Sequence, residues 1–360
     1  MFGFGDFEES EFGTLDQIPV LFREIQMKIY LGGHNASAPL HNASAPLVAG
    51  TEISLTNAFL AAGLEVCDRL IDADALVLME MDINLLQNAH KFTAGKLPII
   101  FVRSEPIVVW PANYNSRAIS LTSKLIDVGH YGGITNSDFP WPQDWNQNLD
   151  FKEVVTTRSE SVVFMNGNKL SFINGEMYSL RRKCILNLPS LDVYGIGWDL
   201  GFLRKLLIFA AEIRLATKNR MRPRLSSSRG WLKRPTNWKG APKSKLDTIS
   251  QYKYSLVIEN SMDYMTEKLF DAFFARCIPV YVGPDVEKYE IPANLVVQVD
   301  ANLNSIERGI EIAKAMDYEQ WRTSLNAWLK SDAVFNKWSA TNVYDSIARE
   351  VSSFIKNSLK

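Results

Sequence analysis

A chain of 360 residues with 46% hydrophobic side chains can bury two substantial cores, because a single core stops growing near this length. Lys and Arg number 39 against 40 Asp and Glu, so the formal net charge is -1 and no global field draws in nucleic acid or an anionic membrane; any such attraction has to be local. Cys67, Cys184 and Cys277 are odd in number, widely spaced and set among apolar residues, which argues against a disulfide framework or a zinc site and for buried reduced thiols.

Residues 1–11 carry acids where a secretory leader would carry a basic segment and an apolar run. Nowhere is there an apolar stretch long enough to span a bilayer, so the expectation is a cytoplasmic protein. The segment HNASAPL stands at 34–40 and again at 41–47, which reads as an exposed loop. Its sequons at Asn35 and Asn42 receive no function without a secretory route, and two copies are too few for a solenoid.

Leu55, Phe59, Ala62 and Val66 follow helical spacing. Short apolar runs at 75–79 and 98–102, with a helical stretch at 85–92 between them, predict an α/β domain with a largely parallel sheet. Pro, Trp, Asn and Asp crowd 138–150, which reads as loop near a boundary. A second alternation follows: a run at 162–165, a helix over 176–188, and strands at 191–194 and 252–258. After these come a helix over 267–276, strands at 278–282 and 295–299, and a helix near 306–316. The expected plan is two Rossmann-like domains facing across a cleft, 1–155 and 156–335, with 336–360 as a C-terminal helix able to pack back on the first domain.

Open parallel sheets bind ligands beyond the carboxyl ends of their strands, which draws attention to 259–265. Thr266 is the expected N-cap of the next helix, and Leu269, Phe270, Phe273, Phe274 and Cys277 form its apolar face. Lys268 stands in the first turn, where a cation opposes the helix dipole by ~0.3–1 kcal/mol. A bound diphosphate would reverse that sign, sharing the lysine and the free helix amides; the plain alternative is pairing with Glu267 or Asp271. In the helix at 176–188, Arg181 falls within the buried stripe of Met177, Leu180, Cys184, Ile185 and Leu188, whereas Arg182 points away. An arginine on an apolar face needs an anion or a carbonyl, or else it reaches out to water.

The strand at 98–102 runs into Arg103, Ser104, Glu105 and Pro106, which puts a carboxylate at a strand's carboxyl end beside the cleft. The plain alternative is a solvated acid paired with Arg103. Residues 214–245 hold eleven Lys or Arg and no acid, with Trp231 and Trp238 interleaved. A solvated basic loop is the simplest reading, with attraction to a diphosphate donor or an anionic lipid-linked glycan, and with it peripheral membrane contact, as the functional one; RNA binding ranks below both. His34, His41, His90 and His130 have no metal-ligand spacing.

Residues 252–284, reading YKYSLVIENSMDYMTEKLFDAFFARCIPVYVGP, resemble the donor-binding signature of glycosyltransferase family 10, the α-1,3/4-fucosyltransferases. The likeness lies in YK, EN-S, DY-TEK and the terminal P-V-GP, and it extends upstream through Lys239, Gly240 and Lys245. This resemblance implies a GT-B-type fold, GDP-fucose as donor, GDP as product, and an oligosaccharide or lipid-linked glycan as acceptor, with no metal and no other obligatory cofactor. Lys268 and Arg181 would hold the diphosphate, Glu267 and Tyr264 would contact ribose or sugar hydroxyls, and Asn260 would shape the loop. Glu105 would be the general base of an inverting transfer. The loop between Asn260 and Tyr264 is shorter than the family pattern, so the contacts of these two carry over less directly. Two alternatives are a transferase of the same fold using another nucleotide sugar and a non-catalytic glycan- or nucleotide-binding protein. Retention of Glu105, Glu267 and Lys268 together argues against the latter.

Overall fold

The computed structural model describes residues 27–33, 55–129, 139–145 and 157–358. The N-terminal residues 1–26, the duplicated HNASAPL with its sequons, His130 and the expected boundary at 155 lie outside them.

Five parallel strands form the first sheet: β1 (Met27–Gly32), β2 (Leu64–Val66), β3 (Ala75–Met79), β4 (Ile99–Arg103) and β5 (Lys124–Asp127), in the order β2-β1-β3-β4-β5. Every residue of β3 and β4 is buried, as befits strands covered on both faces. Side chains alternate across them: Val77, Met79, Ile100 and Val102 face α1 (Leu55–Ala61). Leu76, Leu78, Ile99 and Phe101 face α2 (Ile83–Phe92) and α3 (Ser116–Ile119). The helix expected to reach Val66 stops at Ala61, because Gly63 at φ 80 turns the chain and Val66 joins β2. Strand β1 is interrupted by Lys28 and β5 is bounded by Lys124 and Asp127, which hid them in the sequence.

The second sheet is also parallel: β6 (Ser159–Met165), β7 (Leu191–Tyr194), β8 (Tyr252–Ile258), β9 (Ile278–Val282) and β10 (Val297–Gln298), in the order β10-β9-β8-β6-β7. Around it lie α4 (Tyr178–Asn187), α5 (Phe202–Lys218), α6 (Lys245–Ile249), α7 (Glu267–Phe274), α8 (Leu303–Ala315), α9 (Tyr318–Leu329) and α10 (Asp332–Trp338). Phe270 of α7 packs against Trp338 at 4.7 Å and Trp145 at 6.0 Å, an aromatic cluster that anchors this core. The basic segment expected to be loop from 214 begins inside α5, and Trp231 is buried beneath it.

The last helix, α11 (Ala340–Ser358), is 19 residues long and leaves the second domain at Ser339. It buries Val343, Tyr344, Ile347, Ala348, Val351 and Ile355 in the core of the first. The molecule is therefore two Rossmann-like domains, each with its own core, joined again by the end of the chain. Cys184 and Cys277 are buried and Cys67 is half-buried; all are free thiols. No helix among the described residues is long and apolar enough to cross a membrane.

Candidate active site

A cavity of ≈ 270 Å³ lies between the carboxyl ends of β6 and β8 and the loop that follows β4. Glu105 enters it from the first domain; Asn166, Lys169, Arg181, Asn260, Glu267 and Lys268 enter from the second. Close approach of β7 to this wall depends on Gly195 at φ +152, where a Cβ would stand 2.2 Å from the Asn166 carbonyl oxygen.

Arg181 is buried and spans the end of β8: its Nη2 donates to the Ile258 carbonyl at 2.5 Å and to Asn260 Oδ1 at 3.0 Å. Burial lowers its pKa, against the pull of Tyr178 and Glu259. The Asn260 carbonyl accepts from Met177 N at 3.1 Å, so strand end, loop and α4 form one unit. Arg182, expected to face water, is buried as well and donates to the carbonyls of Lys169 and Ser227. Two sides of α4 are covered, one by the sheet and one by the irregular segment after α5, so neither arginine is solvated.

The start of α7 departs from the expected cap. Thr266 holds the N-cap position but its side chain caps no helix amide. Its Oγ1 donates to Glu259 Oε2 at 2.8 Å, and its N–H donates to Glu259 Oε1 at 3.1 Å. Lys268 Nζ joins the same fully buried carboxylate at 3.2 Å and Thr266 Oγ1 at 2.5 Å. Thus Lys268 pairs with neither Glu267 nor Asp271; both of these bind Lys245, Glu267 at 3.3 Å. Burial alone would raise the Glu267 pKa, yet Lys268 and Lys245 outweigh it and hold the carboxyl well below the usual range. Lys169, which the sequence reading passed over, stands in the same cavity. Burial first, then Lys268 and Arg181, push its ammonium pKa down. Three cations crowded against an uncapped helix start are a chemistry able to attract an anion.

The loop after β4 is held from two sides. Below it, Glu80, at φ 64 and 2% exposed, accepts from Ser104 N at 2.9 Å, from Glu105 N at 3.1 Å, and from Ser104 Oγ and Asn113 Nδ2. From the second domain, Tyr264 Oη donates to the Ser104 carbonyl and Ser171 Oγ donates to the Val108 carbonyl at 3.1 Å. Arg103 does not pair with Glu105; it binds both oxygens of Asp127 at 2.5 and 2.7 Å. Glu105 faces the cavity with its pKa pushed up to about 7, by burial first and then by Glu80, against Lys268 and Lys169.

Among the expected residues, Glu105, Arg181, Asn260, Glu267 and Lys268 line one cavity. Tyr264 does not. It is fully buried, packs edge-on against Trp141 at 5.8 Å, and uses its hydroxyl as a strut between domains instead of offering it to ribose or sugar hydroxyls. Glu80, Lys169 and Ser171 were missed, and Glu259, although it opens the segment 259–265, was given no role. Glu80 directly follows a buried strand and Lys169 sits in the loop after β6, so the strand-end rule that singled out Glu105 would have reached them.

Residues 230–341 match the family model described as glycosyltransferase family 10 (fucosyltransferase) C-term. The 4-galactosyl-N-acetylglucosaminide 3-alpha-L-fucosyltransferase 9 of Homo sapiens is 39% identical over 92 residues, 22% of this chain and 25% of that protein. Alpha-(1,3)-fucosyltransferase 4 of Bos taurus is 36% identical over 91 residues, 21% of this chain and 22% of that protein. The chain thus spans about a quarter of the length of the curated relatives it matches. A crystal structure of an alpha1,3-fucosyltransferase is similar across 92% of this chain and 91% of that one, with a TM-score of 0.50 at 11% identity. That likeness is one of fold, and it makes the two-domain arrangement GT-B-type. The family match includes Asn260, Glu267 and Lys268; Glu105 and Arg181 lie upstream of it. Over residues 230–341, where the uncapped helix and its lysine lie, the chain is similar to the C-terminal part of glycosyltransferase family 10, the fucosyltransferases.

Proposed function

We propose that this chain is an inverting transferase that moves L-fucose from GDP-fucose onto a hydroxyl of an oligosaccharide or lipid-linked glycan. One observation carries the reading: a single cavity brings a carboxylate of the first domain, Glu105, toward three cations of the second, Lys169, Arg181 and Lys268. The match of residues 230–341 to the fucosyltransferase family model supports the choice of donor.

An acceptor hydroxyl is a poor nucleophile near neutral pH, so a base within hydrogen-bond reach takes its proton as it attacks the anomeric carbon. Glu105, with a pKa of about 7, is matched to that task. GDP leaves with developing negative charge, which Lys268, Arg181, Lys169 and the free amides of α7 would stabilise without reorganising. Because the protein itself supplies this positive charge, the reading requires no divalent ion. Base and cations belong to opposite domains, which supports attack from the face opposite the leaving group and inversion at the anomeric carbon. Glu267, held ionised by Lys268 and Lys245, is an acceptor for ribose or sugar hydroxyls. Asn260, fixed by Arg181, shapes the loop.

The test is GDP release from GDP-fucose, other GDP-sugars and UDP-sugars, each with a panel of defined oligosaccharides, with and without a chelator. We expect turnover of GDP-fucose only when an acceptor is present, unchanged by chelation, and a product of opposite anomeric configuration by NMR. Turnover of UDP-sugars alone would defeat the fucose assignment. Loss of rate on chelation, restored by magnesium, would defeat metal independence.

A further inference from the structure

Helix α5 turns large apolar side chains to solvent. It packs through Ile208, Phe209, Ile213 and Ala216 onto Leu170, Phe172 and Trp231. On its other side Phe202, Leu203, Leu206 and Leu207 are 62, 77, 45 and 72% exposed. With about 100° of rotation per residue, Leu203, Leu206 and Leu207 fall on one arc together with Ala210, and Phe202 stands at its edge beside Phe209. Ile196, just before the helix, is also exposed, and so is Leu232. Leu232 is tied to the helix because Lys205 Nζ donates to its carbonyl at 3.3 Å. A contiguous apolar face of this kind marks a partner.

The surrounding charge says which partner. Residues 196–245 contain thirteen Lys or Arg and only two acids, Asp199 and Glu212, in a chain whose net charge is -1. Exposed Arg204 and Lys218 border the apolar arc on its Leu207 side, and exposed Arg214 continues the same face toward the end of α5. Beside Leu232 opens a cavity of ≈ 550 Å³ that includes Lys183, Arg224, Arg229 and Lys233 in its lining and no acid. Apolar side chains bordered by cations, without the alternating signs of a protein interface, fit a surface that is apolar within and anionic at its rim.

We propose that α5 and the basic segment behind it form a docking surface for an anionic lipid bilayer. Phe202, Leu203, Leu206 and Leu207 enter the interface, and the cavity of Lys183, Arg224, Arg229 and Lys233 receives lipid phosphates. The local field near such a membrane is strong where the global one is absent, because each cation within a Debye length contributes separately. Nothing in this inference depends on the transferase reading, since none of these residues lines the cavity of Glu105 and Lys268.

The experiment is co-sedimentation of the full chain with vesicles of phosphatidylcholine alone or mixed with phosphatidylglycerol, at low and high salt. We expect binding to the mixed vesicles only, weakened by salt. Partitioning should fall by more than about tenfold in Leu203→Glu/Leu207→Glu. Each charge removed in Arg224→Gln/Lys233→Gln should lower it about fivefold. GDP affinity by calorimetry should stay the same in all variants; a chain that fails to bind GDP yet binds these vesicles would sink the transferase reading alone. Failure of the wild type to bind the mixed vesicles, or equal binding by Leu203→Glu/Leu207→Glu, overturns the proposal. So does a wild-type dimer that this variant dissociates in sedimentation velocity, because a second copy would then cover the face. A marked loss of melting temperature in the same variant also overturns it, because the chain itself would then cover the face.

Discussion

Glu80 and Glu105 are carboxylates at the ends of neighbouring strands with different tasks. Glu80 accepts hydrogen bonds from the loop beneath the cavity, and Glu105 is left facing into it. Burial and the charge of Glu80 raise the Glu105 pKa from its ordinary 4.5 to about 7. A base works deprotonated, so kcat/KM of the wild type should climb with pH through a limb near 7. The same shift has a stability consequence of opposite sense. Between its unfolded and folded pKa values the folded chain holds a proton that the unfolded chain has released, so this group's contribution to stability falls as pH rises. Glu105→Gln should lose ~10²-fold or more in turnover. It should also lose the acid limb and gain more melting temperature over wild type at alkaline than at mildly acidic pH. A retained limb in that variant would assign it to another group. Glu105 was legible in the sequence because a strand visibly ended just before it. The partner of Lys268 was not, because helix spacing offers Glu267 and Asp271, whereas Glu259 is brought to the lysine by the turn of the loop.

At the scale of elements, β8, the loop, α7 and β9 form the most legible part, with Tyr252–Ile258 and Ile278–Val282 where the apolar runs put them. A buried strand and an amphipathic helix both write their period into the sequence. Helix α5 does not: FLRKLLIFAAEIRLATK is apolar on its buried and exposed sides alike, so no single face announces itself. The N-cap expectation for Thr266 was right in position and wrong in bonding, because a buried carboxylate competes for the hydroxyl. Glu259 therefore organises the start of α7, holding Thr266 by two bonds and Lys268 by a third. Glu259→Gln replaces one acceptor oxygen with an amide donor facing two other donors. That should cost about 1–3 kcal/mol. In thermal denaturation we expect a fall of roughly 2–4 °C for each kcal/mol lost. An unchanged melting temperature would show that the loop stands without this anchor.

Two successive α/β alternations make the two-domain plan readable, but the sequence is silent on how the domains grip each other. Tyr264 and Ser104 are 160 residues apart, and no spacing rule joins them. Their hydrogen bond, with that of Ser171 to Val108, fixes the Glu105 loop from the opposite domain. Tyr264→Phe removes one donor from the Ser104 carbonyl without touching a cavity wall, so kcat should fall while GDP affinity by calorimetry holds; an equal loss in both would make Tyr264 part of the donor site. The second link between domains is α11, whose buried face completes the first core after the chain has built the second. Ile347 is 0% exposed there, beside strands contributed from far upstream. Ile347→Ala opens a cavity and should cost about 2–5 kcal/mol. Because the lost contacts belong to the first sheet, hydrogen exchange should accelerate at the amides of β3 and β4 and change little at β8 and β9. Acceleration confined to β8 and β9 would contradict the assignment of this helix to the first core, and equal acceleration in both sheets would show that the returning helix makes the two domains a single cooperative unit.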